Sequence, residues 1–264
     1  VVVRDGEMLS LPRRNRQSIA LKMMRIAATV LLILGSSYFI SRFIPAERSR
    51  INMQSLYVPP GSRAYLVLAD SSRVWLNSNS TLRYPDSFND PVRTVQLEGE
   101  AFFDVAKHPE QSFIVKTGKY DVEALGTSFN IEAYSDSYCF TTALFTGCVK
   151  ISGTQNNAGT LYLKAGETVT RVGDSLLVSP LKTDIYRWRE GLIVINNYSF
   201  ETVMHCFEKY FDTKIIIDNP KVKTLNYQGK FRIADGVDHA LRVLQKDVRF
   251  VYKRDEDTNI IHIY

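Results

Sequence analysis

The longest apolar run of the chain lies near its N-terminus. Between Arg25 and Arg42, sixteen residues in succession carry no charge. In a helix at about 1.5 Å per residue this run covers about 24 Å, which is less than the ~30 Å hydrocarbon core of a bilayer. Flanking Lys and Arg side chains can extend towards the headgroups, so spanning length is reached over residues 22–44. The pattern predicts a transmembrane helix there.

Two other interpretations of this run are possible. A buried helix of a soluble protein would show a polar face, but four consecutive aliphatic residues at 31–34 leave none. A cleaved signal peptide needs small residues at its cleavage site, which Gly35 and Ser37 could supply, but at least 25 residues precede the run. We therefore expect an uncleaved anchor.

The flanking charges predict the orientation of this helix. Five basic residues lie before the apolar run, at 13, 14, 16, 22 and 25, and three lie after it, at 42, 48 and 50. Such an excess favours a cytoplasmic N-terminus. Residues 1–21 are then expected to be the basic end of a longer cytoplasmic segment, and the residues after the helix to be exported.

From residue 55 to residue 183 the pattern predicts short strands separated by turns. Alternation over residues 64–68, a turn at 70–72 and an apolar run at 74–76 indicate a hairpin. Further apolar runs lie at residues 113–116, 120–125, 129–134, 149–151, 161–163, 168–172 and 176–178. These strands indicate an all-β domain, and the pattern leaves a roll, a sandwich or a solenoid open.

One strand of this region, residues 97–105, carries a candidate site. Its alternation places Leu97, Gly99, Ala101, Phe103 and Val105 on one face and Glu98, Glu100, Phe102 and Asp104 on the other. Two carboxylates on one face could begin a glycosidase site, but they more simply form a solvated edge, which we favour. Trp75, Phe102 and Phe103 are expected in the core rather than in a ligand platform.

After residue 191 the order of predicted elements becomes β-α-β-β-α-β-β, which indicates a small α+β domain over residues 191–264. The linker spans residues 184–190. Ser199 is expected to cap the first helix and Asp235 the second, and each helix has an apolar stripe. Residues 250–252 and 260–264 are expected to pair as a hairpin. The whole chain is thus predicted to be mainly β.

The distribution of charge argues against a nucleic-acid partner. The net charge of +5 divides into +6 for residues 1–50 and −1 for the remaining 214 residues. A nucleic-acid-binding protein normally carries its positive charge on the folded module. We therefore expect no direct nucleic-acid partner.

The sequence offers few candidates for catalytic or metal-binding residues. The four histidines have no metal-binding spacing, and adjacent His205 and Cys206 would diverge by about 100° on a helix. Nucleophile-elbow and phosphate-loop motifs are absent. The sequence therefore predicts no catalytic, cofactor-binding or metal-binding residue and no enzyme. Cys139 and Cys148 could form a disulfide in an oxidising compartment or could equally be buried free thiols.

Several blocks of sequence follow one another in a fixed order, at residues 58–61, 66–70, 74–77, 84–85, 97–105, 125–130, 144–149, 165–167, 188 and 191. With the pattern of elements after residue 199, these blocks resemble the ferric-citrate-regulator (FecR) type anti-sigma factors, in the form widespread in Bacteroidetes, over roughly residues 20–264. The sequence departs from the family pattern at Ser71, Thr146 and Ala165, which affects turn geometry only.

The resemblance implies a regulator of transcription that catalyses nothing. It implies a single pass through the bacterial inner membrane, with a periplasmic FecR domain and a C-terminal module similar to the short N-terminal domain of secretins and TonB receptors. The implied partners are a cytoplasmic extracytoplasmic-function (ECF) sigma factor, bound before the membrane helix, and the signalling domain of a TonB-dependent outer-membrane receptor. The regulated process would be iron or glycan uptake.

A protein of another class stays open as the alternative. A membrane-anchored periplasmic β protein that binds or cleaves carbohydrate would show the same strand pattern and the same anchor. It would bind glycans directly, whereas a regulator would bind the signalling domain of a receptor.

Overall fold

The computed structural model of the chain describes residues 2–4, 7–9, 16–43, 52–135, 140–154 and 159–264. These residues fall into two units, Val1–Arg50 and Ile51–Tyr264.

The first unit contains an apolar helix. Strands β1 (Val2–Arg4) and β2 (Glu7–Leu9) pair antiparallel, and helix α1 follows over Arg16–Phe43. Its segment Leu21–Ile40 is long and apolar enough to cross a membrane, and none of it is buried inside the unit. Exposure of these apolar side chains to water is unfavourable in free energy, so the helix is compatible with a single-pass membrane anchor.

The first part of the second unit is built from strands. Among the described residues it contains thirteen: β3 (Met53–Val58), β4 (Ala64–Val67), β5 (Arg73–Leu76), β6 (Ser80–Pro85), β7 (Arg93–Asp104), β8 (Phe113–Lys116), β9 (Tyr120–Ala124), β10 (Ser128–Ala133), β11 (Thr141–Thr146), β12 (Cys148–Gly153), β13 (Thr160–Lys164), β14 (Glu167–Val172) and β15 (Ser175–Pro180). We call this part the β module. The expectation of a mainly β fold is confirmed.

Two sheets share the long strand β7. The first has the order β3-β6-β7-β8-β9-β12-β13 and the second the order β4-β5-β7-β10-β11-β14-β15, with β7 and β8 parallel and the other pairs antiparallel. One apolar core takes residues from both sheets, including Phe103, Phe113 and Phe129. The strands therefore form a two-sheet sandwich, one of the three arrangements that the pattern allowed.

Strand β7 passes from one sheet to the other at Gly99. This glycine has a φ of +105°, a conformation that residues with a side chain rarely adopt. A Cβ atom there would lie 2.4 Å from Oγ of Ser80, which accepts a 2.9 Å hydrogen bond from the backbone N–H of Glu100. Glycine is therefore required where the strand changes sheets.

A buried ion pair stabilises the turn that begins the second sheet. Nη1 of Arg93 lies 2.7 Å from Oδ2 of Asp70, and both side chains are almost completely buried. The other guanidinium nitrogens donate to the carbonyl oxygen of Gln111, and Asp70 accepts from Ser72. These hydrogen bonds satisfy the donors and acceptors of the pair and offset part of the cost of burying it.

Replacement of Arg93 by Met should therefore destabilise the β module strongly. The change leaves the Asp70 carboxylate buried without its cation, which costs about 3–5 kcal/mol. Lys150→Met is the matched control, because the Lys150–Glu123 pair is exposed and its loss costs less than about 1 kcal/mol. Urea unfolding measures both free energies of unfolding. Equal losses in the two variants would contradict the assigned role of Arg93.

The rest of the second unit is an α+β module, here called the C-terminal module. A 3₁₀ helix over Thr183–Glu190 leads into it and ends at Gly191, whose φ is +82°. The elements that follow have the predicted order: β16 (Leu192–Ser199), α2 (Phe200–Phe211), β17 (Lys214–Ile217), β18 (Asn226–Arg232), α3 (Val237–Leu244), β19 (Tyr252–Asp255) and β20 (Ile260–Ile263).

The C-terminal module has a core of its own. Strand β16 pairs with β18, and β20 pairs with β17 and β19, which includes the expected C-terminal hairpin. The apolar stripes of α2 and α3 meet in one cluster that contains Phe200, Phe207 and Leu241. This separate core indicates that the C-terminal module can fold without support from the β module.

One of the two predicted helix caps is wrong. Ser199 caps α2 as expected, since its Oγ accepts from the N–H of Thr202. Asp235 does not cap α3, because it lies in a 3₁₀ turn over Ile233–Asp235 and Gly236 occupies the N-cap position. That position has a φ of +78°, which favours glycine over aspartate.

Candidate functional site

Two carboxylates face each other on the outer surface of the second sheet. Glu100 in β7 lies directly opposite Glu132 in β10. Like charges in that position destabilise a sheet. The side chain of Glu100 is only 5% exposed, whereas that of Glu132 is 37% exposed. Water therefore screens little of the charge on Glu100, and the pair requires a cation.

Lys209 supplies this cation from the C-terminal module. Its Nζ lies 2.7 Å from Oε2 of Glu100 and 2.9 Å from Oε1 of Glu132. Burial alone would lower the pKa of Lys209, but the attraction of the two carboxylates outweighs it and raises the pKa well above its usual value. Lys209 is therefore charged, and these three residues form what we call the charge cluster.

Amide and aromatic groups complete the surroundings of the charge cluster. Nδ2 of Asn77 donates to Oε2 of Glu100 at 2.6 Å, and Nδ2 of Asn130 donates to Oε1 at 3.0 Å. The ring centroid of Tyr134 lies 5.0 Å from Nζ of Lys209, within the range of a cation–π contact. Burial raises the pKa of Tyr134, so its hydroxyl stays neutral.

The expectation of a solvated acidic edge is therefore wrong for Glu100. Glu98 is exposed as expected, but Glu100 is buried. The difference arises because α2 covers the sheet at Glu100 and leaves Glu98 uncovered. A paired-carboxylate site of the glycosidase type does not form, because Glu132 rather than Glu98 is the carboxylate nearest to Glu100 and Lys209 bridges the two.

A second contact between the modules lies beside the linker. The guanidinium carbon of Arg189 lies 3.5 Å from the ring centroid of Phe102, 5.7 Å from that of Trp75 and 5.9 Å from that of Phe145. Tyr186 contacts Phe145 edge-on. Burial lowers the pKa of Arg189, but an arginine stays charged, and its planar group stacks favourably on aromatic rings.

These contacts correct one expectation about the aromatic residues. Phe103 lies in the core between the sheets, as expected. Phe102 and Trp75 lie on the outer face of the second sheet, where they pack against each other and against Arg189. Their burial depends on the linker helix, which sequence alternation alone does not predict.

The loop between β3 and β4 adds two further contacts between the modules. Nη1 of Arg63 donates to the carbonyl oxygen of Trp188 at 2.6 Å. Gly61 lies against Asp212 at the end of α2, so close that a Cβ on Gly61 would be 3.0 Å from Cβ of Asp212. With a φ of +72° this glycine is required both for its turn and for the close approach of the C-terminal module.

The junction is not fully packed. A cleft of about 540 Å³ remains between the outer sheet face and α2, and it is lined by both polar residues such as Thr141 and His205 and apolar residues such as Ile193 and Val194. Cys206 lines it as well. Such a mixed, incompletely filled contact resembles a transient interface more than a domain core.

The described residues show where the candidate metal-binding and reactive side chains lie. They include no group of three or more His, Cys, Asp or Glu side chains that could hold a metal. His205 pairs with Glu208 and His262 with Asp218, both near the surface. Cys148 is an exposed free thiol in the structure, and Cys139 lies outside the described residues, so the disulfide stays a prediction. The contacts described above join the β module to the C-terminal module.

Comparison with known families assigns both modules. The model of the "FecR protein" domain matches residues 54–150, and that of the "FecR, C-terminal" domain matches residues 192–262. The chain belongs to the FecR family of anti-sigma factors. FecR proteins are membrane-associated regulators whose partner is a sigma factor, which agrees with the apolar helix α1. No curated protein matches the chain significantly.

Solved structures agree with this assignment. Two crystal structures described as anti-sigma factors of Parabacteroides distasonis ATCC 8503, at 1.65 Å and at 2.50 Å resolution, are similar to this chain. The first structure is 26% identical, covers 80% of this chain and 98% of its own, and superposes with a TM-score of 0.68. The second is 25% identical, covers 81% and 99%, and has the same TM-score.

The cleft should protect Cys206 from alkylation. Burial raises the pKa of the Cys206 thiol to about 11, so at pH 8 it is almost entirely protonated and unreactive. In the reduced protein, where any disulfide of Cys148 is opened, we expect iodoacetamide to modify exposed Cys148 at least about tenfold faster than Cys206, with the Cys206 rate rising as the pH approaches 11. Timed alkylation followed by mass spectrometry measures both rates. Equal rates at pH 8 would contradict the description of the cleft.

Proposed function

We propose that this FecR-family protein is a single-pass inner-membrane regulator that passes a signal from the periplasm to a cytoplasmic ECF sigma factor. The signal would come from a TonB-dependent receptor of the outer membrane. The observation that carries this proposal is an unburied apolar helix, Leu21–Ile40, followed in the chain by modules that match both FecR domains.

The charge distribution supports a cytoplasmic N-terminus. The net positive charge of the chain lies in residues 1–50, and five basic residues precede the apolar run. The positive-inside rule then assigns the β module and the C-terminal module to the periplasm. The sigma factor would bind the segment before α1, on the cytoplasmic side.

The C-terminal module offers surfaces that suit a periplasmic partner. Among the described residues, β17 and β19 pair with β20 alone; the outer edge of β17 is partly occupied, because the N–H of Ile215 donates to Glu208, whereas β19 leaves an open edge. An extended segment of another protein can add to such an edge through main-chain hydrogen bonds. This supports the receptor's signalling domain as the periplasmic partner.

Capture of partners from membranes tests the proposal. We expect the full chain, solubilised in mild detergent, to capture both a sigma factor and a TonB-dependent receptor. A chain that begins at residue 52 should capture the receptor and lose the sigma factor. Mass spectrometry of the captured proteins makes the comparison.

The same preparation also tests the carbohydrate-binding alternative. Retention of the 52–264 chain on a glycan matrix, together with no sigma factor captured by the full chain, would contradict the regulatory role and favour the alternative. Capture of the sigma factor by both chains would contradict the proposed position of its binding segment.

A further inference from the structure

The two modules are joined by contacts of different physical kinds. The linker contact buries the aromatic rings of Phe102 and Phe145 under Arg189 and Tyr186, next to the covalent connection. The contact of α2 contains a buried ion cluster instead, Lys209 with two carboxylates, beside a partly filled cleft and Tyr210, which bonds Asn77. Aromatic burial stabilises an interface by itself, whereas a buried ion pair stabilises it only while each charge has its partner.

The charge cluster holds more negative than positive charge, and the pairing of the strands is the cause. Two carboxylates meet one cation, because the register of β7 and β10 places Glu100 opposite Glu132. Withdrawal of Lys209 would leave two like charges on neighbouring strands, one of them almost completely buried. Water would then have to enter the interface to hydrate both carboxylates, so loss of the lysine drives the two surfaces apart.

The two modules do not depend on this contact to fold. The core of the β module and the core of the C-terminal module are separate clusters. One covalent connection joins them, through the linker helix and Gly191. Removal of the docking contact therefore has a simple structural outcome, in which both modules stay folded and the cleft opens.

We propose that the charge cluster is a releasable docking contact, and that the C-terminal module exchanges between a docked state and an undocked state in which Lys209 leaves Glu100 and Glu132. A partner that binds the undocked state more tightly shifts the equilibrium towards it. This docking equilibrium is a property of the chain alone, and only its use in passing on a receptor signal rests on the proposed function.

The reactivity of Cys206 reports the undocked state, because this thiol lines the cleft. The test uses the full chain in detergent with Cys139→Ser and Cys148→Ser, so that Cys206 is the one remaining cysteine. We expect Lys209→Met to accelerate alkylation of Cys206 at least about tenfold at pH 8. Lys214→Met, which removes an exposed lysine of the same module, should leave the rate within about twofold.

Whether the alkylation of Cys206 becomes faster or slower in Lys209→Met shows whether the cleft has opened. The charge of Lys209 lowers the pKa of Cys206, although burial raises it more. In a module that stayed docked, loss of the lysine would thus raise the thiol pKa further and slow the reaction. Only an opened cleft explains a faster one.

A charge-free variant and hydrogen exchange complete the test. The triple variant Glu100→Gln, Glu132→Gln, Lys209→Met has no like charges in the cluster. Its rate of Cys206 alkylation should therefore return to within about threefold of the rate with the unmodified cluster. Amides of β16 and β18 should stay protected in Lys209→Met, because that module remains folded.

Three results would overturn the proposal. They are an unchanged or slower rate in Lys209→Met, a triple variant as reactive as the single one, and loss of β16 and β18 protection, which would show unfolding. Sigma-factor capture is measured separately, so failure of the docking contact is distinguishable from failure of the proposed function.

Discussion

The docking of the two modules of the second unit has one electrostatic constraint at its centre, a lysine held between two carboxylates that the β-sheet places opposite each other. The carboxylates of Glu100 and Glu132 repel each other on this face, and Lys209 brings a compensating cation from the other module. The path of β7 creates the constraint, because its turn at Gly99 carries Glu100 onto the outer face of the second sheet. A local backbone feature thus determines how two modules meet.

The contact between the modules suggests how a protein of this family could respond to a partner. A regulator that passes a signal by protein contacts needs at least two states whose free energies differ little, so that a binding partner can choose between them. A dry apolar interface between the modules would make one state dominant. In the docking equilibrium proposed above, a partly filled cleft, a buried ion cluster and two separate cores would keep the docked arrangement specific and leave a second arrangement within reach.

Local pattern predicted most of the elements, and contacts between distant residues account for what it missed. The alternation of β7, the Ser199 cap and the order of the C-terminal elements follow from neighbouring residues, and all are confirmed. The burial of Glu100 and Phe102 does not follow, because α2 and the linker that cover them come about a hundred residues later in the chain. Lys209 itself resembles any solvated lysine at the polar side of a helix until the modules are docked.

A double-mutant cycle between Lys209 and Glu100 tests the central claim most directly. The free energy of unfolding is measured for the unmodified chain, Lys209→Met, Glu100→Gln and the double variant. If the buried contact holds the modules together, the two changes are coupled, with an interaction energy of about 1.5–3 kcal/mol. Changes that add to within about 0.5 kcal/mol would show that the two residues act independently and would contradict the account.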